Sequence, residues 1–323
     1  MNLSVSFFIP VQEDIRAVED LIRAQADGRH PDLGAALDLL LSAGGKRIRP
    51  TLTLLVGKML GADFLRLITL SAAIELLHTA TLVHDDLIDG SLLRRGMPTL
   101  NSHWSPGATV LTGDYLFASA AKLASETNSL PVMHLFSRTL TVIVNGEITQ
   151  LFTSRCQINR EEYQKRIYAK TASLFETSAA TAAMISDAEP ATVEALRRFG
   201  YEIGMAFQII DDILDFTGEQ ETLGKPVGSD LRQGLVTLPT IYYAEQHPED
   251  REVQDLIAGN CISSELQINR LIGSIQKSTA IKEARHEAFQ YVERGLNSVR
   301  KLPANPERQS LEDLANYIVA REV

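Results

Sequence analysis

Cysteine is scarce in this sequence of 323 residues, which contains only Cys156 and Cys261. Two cysteines so far apart in the chain form neither a metal-binding motif nor a redox motif, and they exclude a small protein built on several disulfides. This use of cysteine is typical of a reducing compartment, so we expect a cytoplasmic protein.

Basic residues are outnumbered, since lysine and arginine total 31 while aspartate and glutamate total 41, a formal net charge of −10. A general nucleic-acid-binding protein needs a basic surface, so this class is excluded. The longest uncharged stretch, 96–113, contains Pro98 and Pro106, and the first residues lack the basic segment of a secretory signal. We therefore expect no membrane anchor and no signal peptide.

Glycine and proline number only 20 and 12, and no stretch alternates between apolar and polar residues as a half-buried strand would. Apolar residues recur at helical spacing instead, for example at Leu70, Ile74 and Leu77. This pattern predicts an all-α protein. None of the breaks between the predicted helices has the composition of a linker, so we predict a single domain over 1–323, with 1–30 as an N-terminal helical extension.

The motif Asp-Asp-x-x-Asp occurs twice, at 85–89 and at 211–215, each time inside an apolar helical run. On a helix its first and last aspartates stand one turn apart on one face, where like charges cost about 0.2–0.5 kcal/mol per pair. A cation should offset this cost, and paired carboxylates suit Mg²⁺, which binds through one or two of them together with phosphate oxygens. A merely solvated helix face explains one such motif more readily than two, and the aspartate spacing does not fit an EF-hand.

Basic residues that could bind phosphate stand near both motifs. The segment GGKRIRP at 44–50 places three cations at a predicted helix start, and it is not a Walker A loop because Lys46 is followed by arginine. The other cations are Arg94 and Arg95 after the first motif, Lys225 after the second, and Lys170 within a predicted helix. Since arginine binds phosphate through paired hydrogen bonds and lysine adds a point charge, this set predicts a site for two polyphosphate groups.

Seven segments of the chain, in the same order as in the family, resemble the trans-isoprenyl diphosphate synthases, the polyprenyl synthetase family. The resemblance extends from about residue 44 to the C-terminus and includes both aspartate motifs, so it is highly specific. The segments are GGKRIRP (44–50), ELLHTATLVHDDLIDGSLLRRGMPT (75–99), GDYLF (113–117), GEITQL (146–151), YAKTASLF (168–175), GMAFQIIDDILDF (204–216) and GKPVGSDLRQGLVTLP (224–239).

The resemblance implies an all-α, single-domain isoprenoid-synthase helical bundle around a deep central cavity, usually a homodimer. It implies a Mg²⁺-dependent prenyltransferase, with two or three ions per active site, that joins an allylic diphosphate (farnesyl or geranylgeranyl) to isopentenyl diphosphate head to tail. The allylic carbon–oxygen bond ionises, the double bond of isopentenyl diphosphate attacks the carbocation, and a proton is lost to the released diphosphate.

The resemblance also implies roles for individual residues. The implied Mg²⁺ ligands are Asp85, Asp89, Asp211 and Asp215, with Asp86 and Asp212 beside them in the catalytic set. The implied ligands of the allylic diphosphate are Arg94, Lys170 and Lys225, with Thr171 and Gln208 lining the same site. The implied isopentenyl diphosphate pocket contains Lys46, Arg49, His78 and Arg95.

One position departs from the family pattern. The family often has a lysine after the glycine of its DLxxG motif, whereas this chain has Leu235. This difference removes one candidate phosphate contact but leaves the aspartate motifs intact.

The residues before the first motif bear on product length. Thr81 stands four residues before Asp85, one helical turn or about 6 Å away on the same face, and Ala80 is next to it. Family members that stop at fifteen carbons typically carry bulky aromatics at these positions. Small residues imply an open cavity, so we expect a product of about thirty to fifty carbons, with geranylgeranyl diphosphate as the alternative if a bulky residue lies deeper.

Other classes of protein fit these motifs less well. His84-Asp85 resembles the metal-binding doublet of HD-type phosphohydrolases, but His78 would point about 120° away from His84 on the same helix, and the second aspartate motif would be unexplained. A terpene cyclase usually lacks a segment like GGKRIRP. A non-catalytic subunit of a heteromeric synthase typically loses the aspartate motifs, and both are intact here.

Overall fold

Helices account for most of the chain, and the all-α prediction is confirmed. The structure is a computed structural model that describes residues 6–42, 45–94, 96–152, 155–218 and 226–321. After a 3₁₀ helix at Ser6–Val11, its helices are α1 Gln12–Ala24, α2 Pro31–Ser42, α3 Ile48–Leu60, α4 Phe64–Ile88, α5 Leu100–His103, α6 Pro106–Glu126, α7 Leu130–Phe152, α8 Arg160–Ile167, α9 Ser173–Ile185, α10 Pro190–Thr217, α11 Ser229–Arg232, α12 Leu238–Gln246, α13 Arg251–Ile257, α14 Glu265–Lys277, α15 Ala280–Val299 and α16 Pro306–Ala320. A π-helical turn, Tyr168–Ala172, connects α8 to α9.

A short hairpin lies between α4 and α5, where the sequence predicted only a loop. Strand β1 (Leu93–Arg94) pairs antiparallel with β2 (Met97–Pro98). Gly96, at φ +75°, takes the left-handed conformation that glycine adopts readily. Strands of two residues are too short to produce an alternating pattern, which is why the sequence did not predict them.

The described residues form two units, each with its own buried apolar residues. The first unit is drawn from 1–140, 174–200 and 297–314, and the second from 141–173, 201–296 and 315–323. The prediction of one domain over 1–323 stays a prediction.

Helix α4 lies in the interior of the first unit because it is apolar on every side. Leu70, Ile74 and Leu77 are fully buried, and the helix packs against α1, α3 and α6. The carboxylate of Asp63 caps its start by accepting a hydrogen bond from the backbone N–H of Arg66 at 2.9 Å. By length and composition α4 could cross a membrane, but 72% of its most apolar window is buried in the protein, as in a core helix.

Cys156 and Cys261 form a disulfide in the second unit. The bridge lies on the turn at Gly234, whose carbonyl oxygen accepts a hydrogen bond from the N–H of Cys156 at 2.8 Å. Gly234 has φ +77°, and a Cβ there would stand 2.7 Å from the sulfur of Cys156, so the contact requires glycine. The spacing of the two cysteines did not indicate this pairing, because the fold of the second unit brings them together.

Helices α9 and α10 approach closely in the first unit at Gly200. A Cβ on Gly200 would lie 2.5 Å from the carbonyl oxygen of Phe175 and 2.9 Å from the Cα of Glu176. Both neighbouring atoms belong to backbone and cannot move aside independently of their helix. The glycine is therefore required for this helix–helix contact.

We expect Gly200→Ala to lower the free energy of unfolding by about 1–3 kcal/mol, because the added methyl group forces the two helices apart. Gly34→Ala on α2 is the matched control, since nothing lies within 4 Å of the added Cβ. That variant should unfold like the wild type or be more stable by about 0.5–1 kcal/mol. Urea unfolding followed by circular dichroism measures both, and equal stability of the two variants would contradict the helix contact at Gly200.

Candidate active site

The first aspartate motif forms the end of α4. Asp85 is half-buried and Asp89 is exposed, and the backbone N–H of Asp89 donates to the carbonyl oxygen of Asp85 at 2.8 Å. Gly90 follows at φ +63°, a conformation that ends the helix. The two carboxylates therefore stand one turn apart on one helix face, as predicted, and the side chain of Asp89 is open to solvent.

The middle aspartate of this motif faces a cation from the hairpin. Asp86 is 6% exposed, and the Nε of Arg94 donates to both of its carboxylate oxygens at 3.0 Å, while Nη2 donates to Oδ1 at 2.8 Å. This two-point contact neutralises the buried carboxylate. Arg94 was predicted as a diphosphate ligand, and in this structure it is a partner of Asp86. Arg95 lies outside the described residues.

The predicted cations around the start of α3 lie in two environments. Arg49 Nη1 lies 3.1 Å from Nε2 of His78, and its guanidinium is 4.8 Å from the ring centroid of Phe175. Lys46 is exposed. Arg47 was not predicted as a site residue, and its ion pairs with Glu19 and Glu75, both at 2.9 Å, give it a structural role. The structure therefore brings together Arg49 and His78 of the predicted isopentenyl diphosphate pocket.

The histidine beside the first motif has a different environment from His78. His84 Nε2 lies 3.2 Å from the carbonyl oxygen of Val110 and 3.5 Å from the carboxylate of Asp114 on α6. A Cβ on Gly113 would collide with this imidazole at 2.2 Å, so the close packing of α6 fixes the ring. The two histidines contact different groups, and this arrangement gives no support to a shared metal site of the phosphohydrolase kind.

The residues predicted to control product length lie on α4 before the motif. Ala80 is fully buried, and Thr81 is half-buried with its hydroxyl donating to the carbonyl oxygen of His78 at 2.7 Å. Both side chains are small, as the sequence analysis noted. Their role in product length stays a prediction.

The second aspartate motif lies in the last turns of α10, in the second unit. Asp211 is half-buried, while Asp212 and Asp215 are only 3% and 2% exposed. The Oδ2 atom of Asp215 accepts a hydrogen bond from the backbone N–H of Asp230 at 3.1 Å, and its carbonyl oxygen accepts one from Gly228 at 2.8 Å. Through these two hydrogen bonds, Asp215 holds the start of α11 against the end of α10.

Asp212 is the centre of a hydrogen-bond network in the second unit. Tyr163 donates its hydroxyl to Oδ2 at 2.7 Å, and Gln208 Nε2 donates to Oδ1 at 2.9 Å. Gln208 in turn accepts a hydrogen bond from the hydroxyl of Thr171 at 2.5 Å. The predicted pair Thr171 and Gln208 is thus brought together, whereas Tyr163 carried no motif that would have identified it.

Burial disfavours the charged form of Asp212 and, with the nearby negative charge of Asp230, raises its pKa to about 7, although Gln208 and Tyr163 oppose this shift by donating hydrogen bonds. Desolvation and the proximity of Asp212 raise the pKa of Tyr163 well above its usual value, so the phenol remains a hydrogen-bond donor. The network therefore holds a weakly acidic carboxyl group in the protein interior.

Lys170 and Thr171 are presented by the π-helical turn between α8 and α9. Lys170 is exposed, while Thr171 is buried and reaches Gln208. A single π turn inside a helical stretch is an unusual geometry that recurs at functional sites. Lys225, the other predicted lysine ligand, lies outside the described residues.

Leu235, the departure from the family pattern, lies at the wall of a cavity of about 330 Å³ in the second unit. Tyr163 and Arg166 of α8 line the same cavity, and so does Gly146 of α7. Arg166 donates to the backbone oxygen of Val236, next to Leu235, at 2.6 Å. The wall of this cavity therefore contains Leu235 where the family often has a lysine, and it also contains an arginine, Arg166, from helix α8.

An arginine that the sequence analysis did not select lies against the second motif. Arg321 follows α16, and its Nη1 atom is 3.0 Å from Oδ1 of Asp211. No spacing rule links residue 321 to residue 211, because the contact depends on how the end of α16, from Ala315 onward, packs in the second unit.

The carboxylates suit Mg²⁺ in number and kind. Across the parts of the chain that the structure describes, no three His, Cys, Asp or Glu side chains lie close enough to enclose a metal ion. Mg²⁺ does not require such a cage, since it usually takes one or two carboxylates and completes its shell with water and substrate phosphate. The carboxylates of Asp85 and Asp89, one turn apart on α4, match this preference.

Comparisons with known proteins agree with this chemistry. The profile of the family described as polyprenyl synthetase matches residues 30–275. The chain is 38% identical to heptaprenyl diphosphate synthase component 2 of Geobacillus stearothermophilus, over 97% of each chain. It is 37% identical to the all-trans-nonaprenyl-diphosphate synthase (geranyl-diphosphate specific) of Rhodobacter capsulatus, over 97% of this chain and 96% of the other. A polyprenyl synthase from Caulobacter crescentus, complexed with calcium and isoprenyl diphosphate, has a TM-score of 0.92 at 36% identity, covering 99% of this chain and 98% of that one.

We expect Tyr163→Phe to lower the free energy of unfolding by about 1–3 kcal/mol at pH 8, because it removes a donor from the buried carboxylate of Asp212. Losing that donor raises the pKa of Asp212 further, so the penalty should shrink at pH 5, where the carboxyl group is protonated in the wild type as well. Urea unfolding in EDTA at both pH values measures this effect.

The matched control is Tyr242→Phe, in the same unit. The hydroxyl of Tyr242 donates to Glu287, which keeps its ion pair with Arg160 at 2.9 Å when the hydroxyl is removed. The control should therefore lose less stability at pH 8. Equal losses that do not vary with pH would contradict the role assigned to Tyr163.

Proposed function

Since this chain belongs to the polyprenyl synthetase family and is a prenyltransferase that makes an elongated polyprenyl diphosphate, we propose the finer details of its reaction. It extends a farnesyl or geranylgeranyl diphosphate by head-to-tail, trans addition of isopentenyl diphosphate. Its product has about thirty to fifty carbons, given the small residues one helical turn from the first motif. The observation that carries this proposal is the pair of aspartate motifs, each at the end of a long apolar helix.

The proposed Mg²⁺ ligands are Asp85 and Asp89 in the first unit and Asp211 and Asp215 in the second. Bound Mg²⁺, at two or three ions per active site, supplies positive charge that stabilises the departing diphosphate. The exposed carboxylate of Asp89, one helical turn from Asp85, supports this assignment. The carboxylate of Asp215 is buried and accepts a hydrogen bond from the backbone N–H of Asp230. Asp86 and Asp212 hold their neighbours in place through Arg94 and Tyr163.

The proposed substrate contacts come from the chain's own cations. Lys46, Arg49 and His78, with Arg95, bind isopentenyl diphosphate, and the close approach of Arg49 to His78 supports a shared anion site. Lys170 and Arg94, with Lys225, bind the allylic diphosphate, and the exposed position of Lys170 on the π turn supports this role. Thr171 and Gln208 line the same site, where Thr171 donates a hydrogen bond to Gln208 and Gln208 donates one to Asp212.

We further propose that the protein is a homodimer. The cytoplasmic location stays an expectation, and the Cys156–Cys261 disulfide opposes it because disulfides are rare in a reducing cytoplasm. An apolar stripe on α7 supports a second copy of the chain as a partner, since Val144, Ile148 and Leu151 recur at helical spacing and are 42%, 47% and 47% exposed. Two-fold dimers are the commonest soluble oligomers. The relative named component 2 favours one alternative, in which the chain needs a second, different component for activity.

The direct test incubates the purified protein with Mg²⁺, labelled isopentenyl diphosphate and either geranyl, farnesyl or geranylgeranyl diphosphate. Dephosphorylated products are then sized by reverse-phase chromatography. We expect a ladder ending at about thirty carbons or more, and a loss of at least about a hundredfold in rate for Asp85→Asn and for Asp211→Asn.

Asp20→Asn, an exposed change on α1, is the control and should keep the wild-type rate. A ladder ending at twenty carbons would keep the chemistry and refute the long-chain product. No elongation with any starter, in a folded protein, would refute independent catalysis and favour the two-component alternative.

Product length should respond to the size of residues 80 and 81. We expect Ala80→Phe or Thr81→Phe to shorten the main product by one or more five-carbon units, because an aromatic ring would obstruct the path of the growing chain. Leu65→Phe, at a position of α4 that is 72% exposed, is the matched control and should leave the distribution unchanged. An unchanged ladder in all three variants would show that another residue limits the chain.

A further inference from the structure

The guanidinium of Arg321 lies against two residues on one face of α10. Its Nη1 atom is 3.0 Å from Oδ1 of Asp211, and its central carbon is 4.6 Å from the ring centroid of Phe207. Phe207 and Asp211 are four residues apart, so the ring and the carboxylate form one continuous patch. The Arg321 side chain is 13% exposed and that of Asp211 is 35% exposed.

The contact is held by charge more than by hydrogen bonds. Among the residues that the structure describes, Nε and Nη1 of Arg321 are buried and have no hydrogen-bond partner of good geometry. A buried guanidinium in this state depends on the negative charge beside it, and removing that charge is costly. Conversely, whatever neutralises Asp211 weakens the hold on Arg321.

Arg321 can change position without disturbing the core. It directly follows the last residue of α16, and its own backbone is outside the helix. The end of α16 is anchored separately, because Ile318 is fully buried, Val319 is 3% exposed, and Arg285 donates to the carbonyl oxygen of Val319 at 3.3 Å. A swing of the Arg321 side chain therefore leaves these contacts in place.

We propose that Arg321 competes with the divalent cation for the carboxylate of Asp211. This inference rests on the proposed role of Asp211 as a Mg²⁺ ligand. Two cations on one carboxylate repel each other strongly in a partly desolvated site, so binding of the ion displaces the guanidinium. Coupling between two binding events is reciprocal. The factor by which Arg321 lowers the affinity of the second motif for Mg²⁺ alone therefore equals the factor by which bound Mg²⁺ weakens the contact between Arg321 and Asp211.

The competition makes Arg321 a positioning residue for the prenyl transfer. It keeps the second motif neutralised when no metal is bound, which lessens the cost of grouped carboxylates on α10. Metal that arrives with a diphosphate has extra oxygen ligands and can offset the loss of the ion pair. The pair therefore favours loading of the site by metal and substrate together over loading by metal alone.

The test is a calorimetric titration with MgCl₂ in an Asp85→Asn background, so that the heat reports on the second motif. We expect Arg321→Gln to bind Mg²⁺ roughly fivefold or more tightly than the background protein. Arg308→Gln on the same helix is the matched control, since Arg308 pairs with Glu312 at 3.3 Å in the first unit, and it should leave the affinity unchanged. Adding Asp211→Asn should abolish the binding heat.

A second measurement follows the arginine itself through exchange of its buried side-chain Nε proton with water, read by ¹⁵N NMR. Saturating Mg²⁺ should raise the exchange rate of the Arg321 Nε proton in the background protein, and its resonance is identified by its absence from Arg321→Gln. Equal Mg²⁺ affinities of the background and Arg321→Gln proteins, with no change in exchange, would overturn the competition.

These outcomes separate the inference from the proposed function. Chain elongation by the wild type together with equal Mg²⁺ affinities refutes the competition and keeps the prenyltransferase assignment in full. Tighter binding by Arg321→Gln without elongation by the wild type supports the competition and refutes independent catalysis. Full binding heat in the Asp211→Asn variant refutes the ligand assignment on which the competition depends.

Discussion

The main physical constraint on this structure is that closely spaced carboxylates at the ends of two long helices must be neutralised. Each aspartate motif places three acidic side chains within five residues, and the middle one of each is buried. The protein neutralises them in different ways. Asp86 receives a two-point contact from Arg94, and Asp212 has a raised pKa in a network of neutral donors. Asp211 is paired with Arg321.

The aspartates of the two motifs differ in their exposure. Asp86, Asp212 and Asp215 are buried, Asp85 and Asp211 are half-buried, and Asp89 is exposed. Local backbone features determine where the neighbouring site residues lie. Gly90 ends α4 directly after the motif, and the π turn after α8 places Lys170 in solvent while Thr171 reaches the network of Asp212. The middle residue of each motif thus supports the outer ones.

The sequence predicted those features that depend on local spacing. Helix periodicity is a property of consecutive residues, so α4 and α10 could be located, and the four-residue spacing placed Asp85 and Asp89 on one face. The resemblance to the family added Thr171 and Gln208, which the structure brings together. Arg95 and Lys225 lie outside the described residues, so their predicted roles stay predictions.

Features that depend on distant parts of the chain were not predicted. Tyr163 reaches Asp212 across 49 positions, and Cys156 pairs with Cys261 across 105. Arg321 contacts Asp211 because the end of α16 packs in the second unit, and no local sequence pattern indicates that packing. The hairpin that presents Arg94 is too short for periodicity to register.

The central proposal is that each aspartate motif binds a divalent cation whose shell is completed by diphosphate oxygens. The most direct measurement is a crystal structure with Mn²⁺ and farnesyl thiodiphosphate, an analogue that ionises poorly, recorded at the manganese absorption edge. The account predicts anomalous peaks at Asp85 and Asp89 and at Asp211, with the thiodiphosphate oxygens completing the metal shell. A bound analogue with manganese at neither motif would contradict it.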